Sequence, residues 1–262
     1  MTVLQHACDH IQVDQQGQTL YLRLNRPDRK NAISRAMYNA LAEAITYGNQ
    51  QPDIRVIVVS GNGSDFSSGN DLLDFMNEPE IHDGHPVVCF MRTLQGSHKP
   101  VIAAVQGAAI GIGATLLLHC DLVYAAADTR WQLPFVKLGL SPEYAASYLL
   151  PRLVGYPRAN ELLLLGEPIT AQQALEFGLV NAVVPVDQLA ELVAERAQQL
   201  AAQPPAAVRR TKLLLKRAQQ AQIDIALAAE FSAFAEGLQS AECKEAISAF
   251  FEKRPADFSD FV

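Results

Sequence analysis

A chain of 262 residues, 49% apolar and 19% charged, has the make-up of an ordinary globular protein and can bury a substantial core. Its net charge of −7 excludes a broadly basic nucleic-acid surface and requires that any anionic ligand be met by a local cationic patch. The cysteines, Cys8, Cys89, Cys120 and Cys243, are scattered with no CxxC pair, which excludes a disulfide framework and predicts reduced thiols.

In chain order, Ile11 to Val13 and Thr19 to Leu24 read as two strands across a Gln-Gln-Gly turn. Ser34 is placed to cap a helix with Met37, Leu41, Ala44 and Ile45 on one face. Ile54 to Ser60, Val101 to Val105 and Leu122 to Ala125 are short β-rich runs alternating with helices, which argues for an α/β core with parallel strands. Asn77 to Pro86, with two prolines and mixed charge, reads as a loop. Ser141, Pro142 and Glu143 read as the N-cap and first two positions of another helix. After Pro157 the texture is helical. Thr170-Ala-Gln-Gln173 fits a capping box, and Gly178 falls at a C-terminal cap. Gln203-Pro204-Pro205 breaks the pattern before a basic helix, Arg209 to Arg217, and further helices to Phe251. The expected division is an α/β core over residues 1–200 and a helical region over 201–262. No apolar run is long enough to span a bilayer, no charged-then-apolar leader opens the chain, and Asp260-Phe261-Val262 is no peroxisomal address. A cytoplasmic protein with no membrane partner is expected.

Two small-residue turns carry the chemical signal. Phe66-Ser-Ser-Gly-Asn-Asp-Leu72 follows the run that ends at Val59, and Val105-Gln-Gly-Ala-Ala-Ile-Gly-Ile-Gly-Ala-Thr115 follows the run that begins at Val101. A strand, a tight turn and a helix start leave backbone N–H groups unpaired and aimed at one spot. One such turn is ordinary punctuation, whereas two together can hold a developing oxyanion.

Together with Asn25-Arg26-Pro27, Lys30-Asn31-Ala32, Cys120-Asp121-Leu122, Leu150-Pro151-Arg152, Gly155 and Ala174 to Val180, these turns make the chain resemble the crotonase superfamily, the enoyl-CoA hydratases and isomerases. The likeness covers nearly the whole chain. Within that group, Ser67 to Leu72 and Ser141-Pro142-Glu143 look most like the peroxisomal-type Δ3,Δ2-enoyl-CoA isomerases. The resemblance implies a spiral of ββα units with a helical C-terminal trimerisation region, hence a homotrimer or a hexamer. It implies an acyl-CoA thioester as substrate, with no nucleic acid, no metal and no cofactor beyond the coenzyme A that the substrate carries.

It also implies roles. The N–H groups of Asn70 and Ile112 would stabilise an enolate on the thioester oxygen, and a helix beginning near Gly113 would add its positive end. The two glutamates that hydratases use align with Thr115 and Phe135, neither of which exchanges protons at neutral pH. Isomerases of the peroxisomal type carry their single base at Glu143. From the helix pattern alone, that glutamate needs no explanation beyond favouring the macrodipole. Trp131, Phe135, Leu138 and Leu140 are candidates for an apolar pocket that raises its pKa. Arg29 and Lys30, with Ala32, would meet the adenine and phosphates of CoA, although ordinary surface charge remains an alternative. Ser68, Asp71 and Leu72 belong to the same substrate-binding set as Trp131 and Phe135. Asp71 also reads as a helix cap. Lys253 and Arg254 would by analogy reach a neighbouring subunit's CoA.

His82 and His85 lack a Cys or carboxylate partner at ligand spacing, and no nucleophile elbow announces a serine hydrolase. The leading expectation is 3-enoyl-CoA to trans-2-enoyl-CoA isomerisation in fatty-acid β-oxidation. A hydratase or other CoA-thioester enzyme, and a catalytically silent binding protein of this fold, remain the alternatives.

Overall fold

The computed structural model describes residues 8–77 and 82–261. Strands β1 (Ile11–Gln16) and β2 (Thr19–Leu24) form an antiparallel hairpin, as their alternation predicts. Helix α1 (Arg35–Gln50) starts at Ser34, whose side chain accepts the Met37 amide. All four residues expected on its apolar face are buried. Strands β3 (Val56–Gly61), β4 (Val101–Val105), β6 (Leu122–Ala126) and β9 (Ala182–Val184) extend the hairpin in parallel, in the order β1-β2-β3-β4-β6-β9. A second sheet contains β5 (Ala108–Ile110), β7 (Arg130–Gln132) and β8 (Ile169–Thr170). The chain therefore deals successive strands alternately to two sheets, β4 then β5 and β6 then β7. This is the mixed α/β architecture that the resemblance implies.

Strand period sets the two sides of the large sheet. Val56, Val58, Ile102 and Ala104 pack with Leu189, Val193 and Ala197 of helix α8 (Val186–Ala201). Ile57, Val59, Val101, Ala103 and Val105 point the other way, into the main core with α1 and α3 (Pro86–Gln95). Helix α2 (Leu72–Asn77) and the one-turn helix α4 (Ile112–Thr115) follow the two small-residue turns. Then come α5 (Ala146–Val154), α6 (Tyr156–Asn160) and α7 (Ala171–Glu176), the last with both halves of the predicted capping box in place. Helices α9 (Pro205–Arg217), α10 (Gln220–Gln239) and α11 (Ala241–Glu252) complete the chain. A buried lysine anchors α9: Lys212 donates to the Lys99 carbonyl and to Asp121, each at 2.6 Å. No helix among the described residues is long and apolar enough to cross a membrane.

Several expectations need correction. The stretch after Pro157 is not wholly helical, because β8 and β9 lie there. The predicted loop over 77–86 gives its ends to α2 and α3, and residues 78–81 lie outside the described set. The helix at Gly113 is a single turn passing into a 3-10 turn over Leu116–His119, too short for a sizeable macrodipole. Helix α5 begins at Ala146, not at Pro142. Ser141 is therefore no N-cap, and Glu143 precedes the helix.

Candidate active site

The two small-residue turns are interlocked through their backbones. Ser67 N–H donates to the Ala108 carbonyl at 2.8 Å, and Ile110 N–H returns a bond to the Ser67 carbonyl at 3.0 Å. A Cβ on Gly69 would come within 2.8 Å of the Ile110 carbonyl oxygen, and one on Gly113 within 2.7 Å of the Ser67 carbonyl oxygen. Glycine at these positions is what lets the turns meet. The Lys30-Asn31-Ala32 motif braces the first turn. Asn31, fully buried, donates to the Asn62 and Asp65 carbonyls, while its own carbonyl accepts the Ser67 hydroxyl. Ser68 N–H donates to the Lys30 carbonyl, and Ile33 N–H to the Gly69 carbonyl. Within this frame, neither the Asn70 nor the Ile112 amide donates to a protein acceptor among the described residues. Both are available to a ligand.

Glu143 is tied to the last residue of α4, Thr115, which closes the single turn that Ile112 opens. The Thr115 hydroxyl donates to its Oε1 at 3.3 Å, while the Thr115 amide donates to the Gly111 carbonyl. Glu143 is 7% exposed and borders a cavity of about 40 Å³. Val87, Val88 and Met91 of α3 and Leu227, Phe231 and Phe234 of α10 supply its apolar walls; Tyr144 and Glu230 complete the lining. Burial pushes the Glu143 carboxyl up to about 8, and the negative charge of Glu230 adds to this against the Thr115 bond. The expected source of the apolar environment is thus corrected. Trp131 lines a separate cavity with Ala114, Leu118 and Leu162; Phe135 is buried in the main core, and none of residues 131–140 lines the cavity at Glu143.

The segment carrying Glu143 is unusual. Tyr144 and Ala145 both adopt left-handed backbone, φ 58° and 57°, and Ala146 N–H closes the turn onto the Glu143 carbonyl at 3.1 Å. Two non-glycine residues in this region cost about 1–2 kcal/mol each. Tertiary contacts offset the cost. The Tyr144 ring stacks on buried His119 at 3.8 Å, the His119 Nε2 bonds the Tyr144 carbonyl oxygen at 2.7 Å, and the Tyr144 hydroxyl donates to the Met91 carbonyl. Burial holds His119 down to about 4, so the ring is neutral there.

The remaining candidates fall into place around this centre. Asp71 accepts the Leu73 and Asp74 amides, as expected of a cap, and pairs with Arg26 at 2.5 Å. Burial raises its carboxyl, but the Arg26 and amide bonds outweigh that and hold it below the usual range. Asp74 is tied to the Arg35 amide and guanidinium. Arg29 and Lys30 are exposed beside half-buried Ala32, Ser68 and Leu72. Arg254 pairs with Glu245 and Glu252. His85 caps α3 through the Val87 amide, and no group of three or more His, Cys, Asp or Glu that could hold a metal occurs among the described residues. Two members of the site escaped the sequence reading. Tyr38, buried on α1, donates to the Asn70 side-chain oxygen at 2.5 Å and so steadies the first turn. Glu230 on α10 reaches the turn at Glu143. Tyr38 is hidden among the apolar residues of its helix face. Glu230 left a readable trace, a carboxylate on the stripe of Leu227, Phe231 and Phe234.

With this geometry in hand, comparison with known proteins is informative. Residues 14–261 match the model of the family described as enoyl-CoA hydratase/isomerase. A 2,3-dehydroadipyl-CoA hydratase of Escherichia coli K12 is 35% identical over 249 residues, covering 94% of this chain and 97% of its own length. An enoyl-CoA delta isomerase 2 of Rattus norvegicus is 34% identical over 252 residues, covering 94% of this chain and 64% of its own length. Among solved structures, the crystal structure of an enoyl-CoA hydratase/isomerase from Pseudoalteromonas atlantica T6c superposes with a TM-score of 0.92 at 39% identity, covering 96% of this chain and all of that one.

Proposed function

The chain belongs to the enoyl-CoA hydratase/isomerase family, and from that premise we propose that it moves the double bond of 3-enoyl-CoA thioesters to give trans-2-enoyl-CoA, serving fatty-acid β-oxidation. The observation that carries this reading is the buried Glu143 carboxyl, hydrogen-bonded to the helix whose first amide, Ile112, is free to bind a ligand. Glu143 takes a proton from C2. The charge that develops on the thioester oxygen is met by the amides of Asn70 and Ile112, and the proton returns to C4. A carboxyl held near 8 suits both halves of that cycle, since it must accept the proton and then release it. Atoms and electrons balance within the substrate, so the reaction asks for no metal or redox cofactor.

The hydratase alternative needs a second proton-exchanging group, and the side chain at the aligned position is Thr115, whose hydroxyl donates to Glu143. Arg29 and Lys30 are the proposed phosphate contacts, being exposed cations next to the first turn. A trimer or hexamer is proposed as well, because Leu213, Leu214 and Leu215 on α9 stand 62%, 68% and 70% exposed in one chain. The test of function is turnover of 3-hexenoyl-CoA and crotonyl-CoA side by side, followed through the absorbance of the conjugated thioester. Isomerisation well above hydration supports the assignment; rapid hydration with no isomerisation overturns it.

A further inference from the structure

Glu230 is a second buried carboxylate at the same cavity, and it is held in a way that Glu143 is not. It comes from the middle of α10, is 7% exposed, and reaches across to the segment that follows Glu143. Its Oε2 accepts the Ala145 amide at 2.5 Å, and its Oε1 accepts the Ser147 amide at 2.7 Å. Ala145 is the N-cap of α5 and has no side chain with which to cap it. Glu230 therefore supplies from a distant element the capping that the local sequence lacks, and it grips the left-handed residue two places beyond Glu143.

The charges around Glu143 single out the same residue. Tyr38 faces it from α1 and Tyr144 from its own turn, and burial drives both phenols well above their ordinary range. Behind Tyr144, His119 is held down to about 4 and Cys120 pushed up to about 12 by burial. Thr115 from α4 does not titrate. Among the described residues, Glu230 is then the one neighbour of Glu143 whose charge can change across ordinary pH. Burial raises the Glu230 carboxyl too, but two amide donors favour its anion, where Glu143 receives one hydroxyl. Of the two, Glu230 ionises first.

We propose that Glu230 is the positioning residue of this site: its carboxylate clamps the Glu143–Ser147 segment through the Ala145 and Ser147 amides and faces Glu143 across the cavity that both line. The role rests on Glu143 being the base, as assigned above, but its test does not need turnover. In the full-length protein, the midpoint of Glu143 is read by carboxyl carbon NMR or infrared titration, with Glu143→Gln identifying the signal. The same titration is run on Glu230→Gln and Glu230→Asp. Loss of the anion in Glu230→Gln is expected to lower the Glu143 midpoint by at least half a pH unit. Glu230→Asp keeps the charge with a shorter reach, so the midpoint is expected to stay within half a unit of wild type.

In the assay on 3-hexenoyl-CoA, both variants are expected to lose at least tenfold in kcat with KM little changed. The rising limb of the kcat/KM pH profile is expected to move down in Glu230→Gln. A purely structural α10 contact would lower the yield of folded enzyme and leave that limb in place. An unmoved Glu143 midpoint in folded Glu230→Gln overturns the proposal. If that variant does not fold, Glu230→Asp decides: full kcat overturns the clamp, and lost kcat with the midpoint retained supports it. A wild type without isomerase turnover would refute the proposed reaction alone, since the titrations still report on Glu230.

Discussion

Replacing Glu143 with glutamine probes catalysis and stability at once. The amide is close in size to the carboxyl, its oxygen can still accept the Thr115 hydroxyl, and the cavity around it is otherwise unchanged. Removal of a positioned base typically costs a hundred- to ten-thousand-fold in rate, roughly. No carboxylate among the described neighbours is free to substitute, since Glu230 is committed to the Ala145 and Ser147 amides, Asp71 to Arg26 and two amides, and Asp74 to Arg35. In the wild type, log kcat/KM should climb with unit slope until the carboxyl ionises near 8 and then level off, because the ionised form is the base. The linkage to folding has the opposite sign. A carboxyl whose folded pKa is raised from 4.5 to about 8 contributes stability that is complete below 4.5 and lost as pH rises through about 8. At about 1.4 kcal/mol per pH unit, the full loss is on the order of 5 kcal/mol. Glutamine carries no such dependence. Urea unfolding of both proteins at pH 5, 7 and 9 should therefore show the variant gaining on the wild type as pH rises. A stability difference flat with pH would refute the buried-carboxyl argument. More than about a tenth of wild-type turnover on 3-hexenoyl-CoA, well inside the loss expected of a missing base, would refute the catalytic one.

Three further outcomes are expected. Gly113→Ala places a methyl 2.7 Å from the Ser67 carbonyl oxygen and must push the two turns apart, so kcat should fall about a hundredfold, the scale of one lost oxyanion donor, with far-UV circular dichroism unchanged. Lys212→Met removes the nearer of the two lysines paired with Asp121, leaving Lys216 at 3.9 Å, and should lower urea stability by about 2–4 kcal/mol; a change under about 0.5 kcal/mol would show that the anchor is idle. Light scattering at micromolar concentration should give the mass of a trimer or a hexamer, and a monomer would count against the assembly proposed from the exposed leucines of α9.

The parts of the molecule legible in the sequence are those whose physics is local. The β1–β2 hairpin, the short β-rich runs of β3 and β4, the Ser34 cap, the Thr170–Gln173 capping box and the Asp71 cap each depend on residues within a few positions of one another. The two turns were equally plain, because glycine at Gly69 and Gly113 is demanded by a backbone approach under 3 Å. What failed was the start of α5. Ser141 and Pro142 spell a good helix entry, and local propensity would begin the helix there. Glu230, far along the chain, instead holds Ala145 and Ser147, and the His119–Tyr144 stack fixes the residue just before them, so the helix waits until Ala146. The cavity walls were misread for a related reason. Nothing near Glu143 in sequence reveals that α3 and α10 fold over it.

That failure follows from what the site requires. A base at the first turn of a regular helix would have its carboxylate solvated by the helix's own free amides, which favours the anion and depresses its proton affinity. Glu143 is set ahead of the helix, and the amides at positions 145 and 147 are spent on Glu230. The donors that would have stabilised a charged Glu143 stabilise its neighbour, whose negative charge then disfavours ionisation of Glu143. The left-handed turn at Tyr144 and Ala145 is the conformational cost of that exchange. A local sequence signal for a helix cap and the proposed need for a buried carboxyl of raised proton affinity pull in opposite directions here, and contacts from α10 decide between them.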